Sequence, residues 1–177
     1  MNTKSFIEAK NIAYKINENK LFHNLSFSVN NGEALYISGP NGSGKSTLIR
    51  IILGITKQTK GVITHNKSNN ISYLGHKNAL KNYLTVSDNL TLLGLDSHEK
   101  LMNFLQELGL KKYMDVTVAN LSYGQQKKLA LLRIFLNKSN IIVLDEPFVG
   151  LDTYAQNVVE SFLIKEINSG KALIYTS

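Results

Sequence analysis

The chain has 177 residues, of which 43% are hydrophobic and 19% are charged, and only two are prolines. This length predicts one well-buried domain, and this composition is typical of a globular protein and excludes extensive disorder. The chain contains no cysteine, so disulfides, thiolate metal sites and cysteine nucleophiles are excluded.

Charge and hydropathy bear on the partners to expect. The formal net charge is +7, but no run of about five or more basic residues occurs, so we interpret most lysines as solvated surface. No stretch approaches the roughly 20 apolar residues that span a bilayer. Residues 1–8 also lack the apolar core of a secretory signal. Any membrane role is therefore expected to come through a partner.

The first predicted elements are two strands, around residues 6–16 and 21–29, joined by a polar turn at residues 17–20. The second strand alternates apolar residues with serines, which is the period of a half-buried strand. The apolar run at residues 34–38 predicts a third strand, buried in the core, and residues 46–53 predict a helix.

The motif between that strand and helix is the most informative one. Residues 39–46 match the P-loop pattern GxxxxGK[ST] at every specified position. Its glycines let backbone N–H groups and the positive end of the helix converge on phosphate. We predict that the loop binds a nucleoside triphosphate, that Lys45 reaches the β- and γ-phosphates and that the Ser46 hydroxyl binds Mg²⁺. The nucleotide-binding residues predicted here are Gly39, Pro40, Asn41, Gly42, Ser43, Gly44, Lys45, Ser46 and Thr47.

Tyr14 is a second candidate for contact with the nucleotide. It lies in the first predicted strand, in a segment that can fold back over the P-loop, where its ring would stack on adenine. The alternative interpretation is an ordinary aromatic residue of a strand.

Beyond the P-loop helix, residues 61–64 and 71–74 predict two more strands, and helical spacing follows from about residue 86 to residue 110. Asp96 followed by Glu99 resembles a helix N-cap with its capping-box partner. We interpret this region, about residues 78–130, as a helical insert between two parts of the sheet.

Residues 121–125, Leu-Ser-Tyr-Gly-Gln, directly precede another amphipathic helix. A Ser-x-Gly turn at a helix N-terminus offers a hydroxyl and backbone N–H groups to an anion. An ordinary serine N-cap is the alternative interpretation.

Residues 140–147 predict a buried strand that delivers two carboxylates at its carboxyl end, where open α/β sheets bind ligands. Asp145 would complete the Mg²⁺ shell with Ser46, and Glu146 would act as general base on the water that attacks the γ-phosphate. Two acids that merely cap a turn are the alternative. A helix that begins near Asp152 and a strand at residues 172–176 complete the predicted core.

In this order the motifs resemble the ATP-binding cassette of ABC proteins over essentially the whole chain. The resemblance implies an α/β P-loop NTPase fold, with an antiparallel β subdomain and a helical insert, in a single domain over residues 1–177. It implies that two copies pair head to tail around two MgATP, so that Ser122, Gly124 and Gln125 complete the site of the second copy. It also implies integral membrane subunits as partners, at the cytoplasmic face of the inner membrane, and no nucleic acid.

A finer resemblance rests on residues 73–81 and 84–90. They are similar to the CcmA family, the ATP-binding subunits of the haem exporter of cytochrome c maturation, which reads Leu-Gly-His where most cassettes carry Gln. The resemblance places His76 at the γ-phosphate sensor position and implies a catalytic role there. The alternative is a surface histidine at the end of a strand.

The end of the sequence departs from the pattern of the family. The family places a switch histidine next after Ser177, so the resemblance implies either a fragment or a shortened protein. In both cases we expect ATP binding to survive, turnover to be reduced, and apolar surface to be exposed where the C-terminal helices of the family would pack.

Two other functions remain as alternatives. A soluble ABC ATPase acting on nucleic acid or ribosomes is favoured by the net charge alone. A regulatory cassette that binds ATP without hydrolysing it is favoured by the missing switch histidine and by His76 in place of Gln.

Overall fold

The computed structural model describes residues 5–66 and 70–177. Seven strands and five α-helices organise the described part of the chain. They are β1 (Ile7–Ile16), β2 (Asn19–Val29), β3 (Ala34–Ile37), α1 (Lys45–Ile52), β4 (Lys60–His65), β5 (Ile71–Leu74), α2 (Val86–Leu92), α3 (Leu101–Glu107), α4 (Tyr123–Leu136), β6 (Ile141–Leu144), α5 (Thr153–Asn168) and β7 (Ala172–Thr176).

The strands form two sheets. An antiparallel sheet has the order β2-β1-β4, and a parallel sheet has the order β3-β7-β6-β5. In the parallel sheet, Val143 pairs with Ile174 and Tyr36 pairs with Tyr175. Because parallel strands end at a common edge, the segments that follow β3, β5, β6 and β7 all meet at the carboxyl edge of this sheet.

Strand β6 explains how the core is divided. Ile141 and Val143 pack into a cluster with α1 and the antiparallel sheet, whereas Ile142 and Leu144 pack into a cluster with α4, α5 and the insert. All four side chains are buried, which is why this strand reads as a continuous apolar run rather than an alternating one.

The predicted strands and the predicted fold class are confirmed, with local differences. The predicted burial of the strand before the P-loop is wrong: β3 lies at the edge of the parallel sheet, so Ala34 and Tyr36 are exposed. The hairpin turn is tighter than predicted, because β2 already begins at Asn19, and Asn17 takes the positive φ (53°) that a two-residue turn requires. Helices α2 and α3 occupy the predicted helical stretch. None of the helices within residues 5–66 and 70–177 is long and apolar enough to cross a bilayer.

The predicted capping role of Asp96 and Glu99 is wrong. Helix α3 begins at Leu101 after Lys100, whose side chain makes no capping hydrogen bond. A capping box is present instead at α2, where the Thr85 hydroxyl accepts from the amide of Asp88 at 3.0 Å and the Asp88 carboxylate accepts from the amide of Thr85 at 3.2 Å.

Candidate active site

The P-loop connects β3 to α1 and leaves its amides open. Gly42 and Gly44 have φ angles of 82° and 97°, which glycine adopts without strain. The amides of Gly44, Lys45, Ser46 and Thr47 donate to no acceptor among the described residues. They border a cleft of about 280 Å³. Unpaired N–H groups at the start of a helix form a site for an anion such as phosphate.

Lys45 adds a positive charge to this loop. Its side chain is nearly buried, with 9% of the residue exposed. The ammonium group donates to the carbonyl oxygen of Gly39 at 2.7 Å and of Pro40 at 3.4 Å. These carbonyls hold the ammonium within the loop, and no carboxylate of residues 5–66 and 70–177 pairs with it, so its charge is available to a phosphate.

Asp145 and Ser46 border a second cleft, of about 480 Å³, at the same edge of the sheet. Asp145 follows β6 and is 2% exposed. Its Oδ1 accepts a hydrogen bond of 2.7 Å from the hydroxyl of Thr176, and Oδ2 has no partner among the described residues. A free carboxylate oxygen and a serine hydroxyl on one cleft are oxygen donors of the kind that Mg²⁺ prefers, so these residues fit that ion.

Glu146 borders the P-loop cleft and has a positive φ of 51°. That angle is uncommon for residues other than glycine, and such strain concentrates at functional sites. The amide of Glu146 donates to the Thr176 hydroxyl at 2.9 Å, and its Oε2 lies 3.2 Å from Nδ1 of His76. The structure therefore brings together His76, Glu146 and the P-loop, which lie on separate segments of the sequence.

Thr176 is a site residue that sequence reasoning missed. It ends β7, the neighbour of β6, and its hydroxyl is shared between the amide of Glu146 and the carboxylate of Asp145. The only signal in the sequence is a hydroxyl side chain at the end of an apolar strand. The bridge fixes the backbone between the two carboxylates.

Thr176→Val is expected to lower the free energy of unfolding by about 1–3 kcal/mol, because both bridged groups lose a partner in a buried place. Urea denaturation of the two proteins checks this value. Thr91→Val, at an exposed position in α2, is the matched control and is expected to change stability by less than about 0.5 kcal/mol. Equal stability of Thr176→Val and the parent would mean that the bridge contributes nothing.

Lys127 is a second residue that sequence reasoning missed. It lies in α4 and is only 1% exposed, yet it makes no hydrogen bond or ion pair with a described residue. Burial lowers the pKa of Lys127, and the negative charges of Asp145 and Glu146 oppose that shift. The helix that follows residues 121–125 thus carries a buried ammonium group on which the charges of both carboxylates act.

Ser122, Gly124 and Gln125 lie away from the P-loop of their own chain, since none of them borders either cleft. Ser122 is the N-cap of α4: its hydroxyl accepts from the amide of Gln125 at 3.3 Å, and the side chain of Gln125 accepts from the amide of Ser122 at 2.8 Å. The serine cap is therefore present in the single chain, at a helix start that is open to solvent.

Tyr14 does not border the P-loop cleft. Its ring stacks on Phe22, with centroids 6.2 Å apart, in a separate cleft on the antiparallel sheet. Irregularities in the pairing of β1 with β2 on both sides of Tyr14 reorient the side chains. Ile16 and Leu21 border the P-loop cleft instead, so its apolar wall is aliphatic.

Comparison with known proteins gives the family. A family model described as "ABC transporter" matches residues 22–149. The cytochrome c biogenesis ATP-binding export protein CcmA of Tatumella citrea is 34% identical over 97% of this chain and 88% of its own length. CcmA of Vibrio cholerae is also 34% identical, over 97% of this chain and 90% of its own.

Solved structures agree on the fold. An ATP-binding subunit of an ABC transporter superposes with a TM-score of 0.82 at 24% identity, over 97% of this chain and 79% of that one. A dimeric ATP-binding cassette bound to ADP and phosphate gives 0.79 at 24% identity, over 97% and 87%. Together with the family model and the relatives, this similarity shows that the chain belongs to the ABC transporter family, as an ATP-binding cassette.

Proposed function

We propose that this chain binds and hydrolyses MgATP to drive an ABC transporter whose cargo is haem or a related substrate of cytochrome c maturation. One observation carries the ATPase part of this proposal. Lys45, Ser46, Asp145 and Glu146 all lie at the carboxyl edge of the parallel sheet, around two clefts that share Ser46 as a lining residue. The names of the CcmA relatives, which describe export in cytochrome c biogenesis, support the choice of cargo.

In the proposed reaction, the open amides of residues 44–47 and the ammonium group of Lys45 hold the phosphates. Ser46 and Asp145 would hold Mg²⁺, which supplies neutralisation of phosphate charge when bound. Glu146 accepts a proton from the water that attacks the γ-phosphorus as the bond to the bridging oxygen breaks. His76, within hydrogen-bonding distance of Glu146, orients that carboxylate.

We further infer that a second copy of the chain completes each site. Ser122 and Gly124, with Gln125, stand at the exposed start of α4, away from the P-loop of the same chain. A head-to-tail pair would bring this helix start to the γ-phosphate held by the other copy, where its N–H groups stabilise negative charge. Hydrolysis would release that contact and open the pair.

The proposed partners are integral membrane subunits, which would hold the chain at the cytoplasmic face of the inner membrane. The test is co-expression with the membrane subunits of a cytochrome c maturation exporter, followed by ATPase assays in proteoliposomes. We expect the chain to co-purify with those subunits and haem to raise the rate of phosphate release. Haem-independent turnover, or turnover that RNA but not the membrane subunits stimulates, would contradict the proposal.

A further inference from the structure

Tyr123 and Gly150 make a close contact that the proposed reaction does not use. Tyr123 is the first residue of α4, and Gly150 lies in the turn between Glu146 and α5. A Cβ added at Gly150 would lie 2.4 Å from Cδ1 and 2.6 Å from Cε1 of the Tyr123 ring. Any side chain at position 150 would therefore displace this ring, so glycine and tyrosine are matched in size here.

Two more contacts join the same elements. A Cβ added at Gly124 would lie 2.5 Å from the carbonyl oxygen of Gly150, so the two backbones also touch. One turn further along α4, the ammonium group of Lys128 lies 2.5 Å from Oδ2 of Asp152. Asp152 in turn caps α5, since Oδ1 accepts from the amide of Ala155 at 2.8 Å. The first turns of α4 are thus tied to the segment that links Glu146 to α5.

The surface formed by these contacts is exposed. Tyr123 is 46% exposed and Val149 is 47% exposed, and the hydroxyl of Tyr123 makes no hydrogen bond with a described residue. Ser122 and Gln125, which the proposed dimer turns toward the second copy, belong to the same first turn of α4 as Tyr123. The ring therefore lies where the helix start and the segment before Asp152 meet at one face.

We propose that Tyr123 and Gly150 are positioning residues, which hold the Ser122–Gln125 turn and the Leu151–Asp152 turn together as one surface that docks on a second copy of this chain. The proposal rests on the head-to-tail dimer proposed above. Because the segment with Gly150 starts at Glu146, the same contact connects the docking surface to the carboxylate of its own site. Displacing the ring would misalign both turns at once.

The test measures ATP-driven dimerisation of the chain carrying Glu146→Gln. Adding Gly150→Ala is expected to weaken dimerisation about tenfold, because the added Cβ would displace the Tyr123 ring from the docking surface. Gly109→Ala is the matched control: Gly109 has a similar φ of +68°, against +80° at Gly150, and a Cβ there meets nothing within 4 Å. ATP affinity of the isolated chain, measured by fluorescent nucleotide titration, is expected to change in neither variant.

Tyr123 variants keep the test independent of any folding defect in Gly150→Ala. Tyr123→Phe keeps the ring and is expected to dimerise like the parent, whereas Tyr123→Ala is expected to dimerise several-fold more weakly. In the Tyr123→Ala chain, Gly150→Ala is expected to weaken dimerisation no more than Gly109→Ala does. Normal dimerisation of Tyr123→Ala, or of Gly150→Ala in the parent, overturns this proposal alone. A parent that forms no ATP-driven dimer overturns the proposed dimer as well.

Discussion

Glu146→Gln is expected to reduce ATP turnover by about 100- to 10,000-fold, the usual contribution of a general base, while ATP binding persists. Glutamine keeps the size of the side chain but cannot accept the proton of the attacking water. The hydrogen bond from Glu146 to the Thr176 hydroxyl uses the backbone amide of Glu146 and not its side chain, so the loop is expected to keep its shape. Phosphate release and fluorescent nucleotide binding, measured on the same preparation, separate the two effects.

Glu160→Gln provides the matched control for this substitution. Glu160 is exposed on α5, away from both clefts, so the same change of charge there is expected to leave turnover unchanged. Undiminished phosphate release by Glu146→Gln would remove Glu146 from the role of general base. Loss of ATP binding together with turnover would instead indicate that the carboxylate supports the shape of the site.

Lys45→Met is expected to weaken ATP binding by about 10- to 100-fold, which corresponds to the loss of a charge-assisted hydrogen bond to phosphate. Methionine retains the apolar stem, so the nearly buried part of the side chain still packs. The open amides of Gly44, Ser46 and Thr47 remain, which is why some binding is expected to persist. Equilibrium titration with ATP in the presence of Mg²⁺ gives the affinity.

The control for Lys45→Met is Lys57→Met, which removes the same charge from an exposed position. Its ATP affinity is expected to match that of the parent, because screening weakens the effect of a distant surface charge. A thermal melt of both variants shows whether the P-loop change disturbs the fold. If a folded Lys45→Met chain binds ATP as tightly as the parent, the assignment of Lys45 to the phosphates is wrong.

Local motifs explain why much of this site could be predicted from the sequence. The P-loop conformation depends on its own glycines and on the strand and helix that flank it, all within residues 34–53. Asp145 and Glu146 were predicted because β6 is short, apolar and buried on both faces, so residues that follow it must emerge at the edge of the sheet.

The features that could not be predicted depend on contacts between distant segments. Thr176 meets Asp145 and Glu146 only because β7 lies beside β6, 31 and 30 residues away in the chain. The position of Tyr14 depends on irregular pairing of β1 with β2, and an extra residue in a strand reverses which side chains face the site. Such an irregularity leaves only a weak signal in the sequence. Here the signal is two asparagines, Asn11 and Asn24, a residue type that tolerates the positive φ that both adopt in the structure.

The contact between Tyr123 and Gly150 also joins distant segments of the chain and could not be predicted from the sequence. In the sequence, Tyr123 fills the variable position of a Ser-x-Gly turn, and Gly150 reads as an ordinary turn residue. Only the fold shows that the ring occupies the space of a missing side chain. The size of one residue therefore restricts the other, although 26 positions of sequence lie between them.

The measurement that tests the central claim most directly is a calorimetric titration of ATP into the Glu146→Gln chain, with Mg²⁺ and with a chelator in its place. The account predicts one ATP bound per chain, with an affinity that falls when Mg²⁺ is removed. It also predicts that Ser46→Ala with Asp145→Asn abolishes this dependence on Mg²⁺. Absence of ATP binding, or binding that neither Mg²⁺ nor Lys45→Met affects, would contradict the assignment of the site.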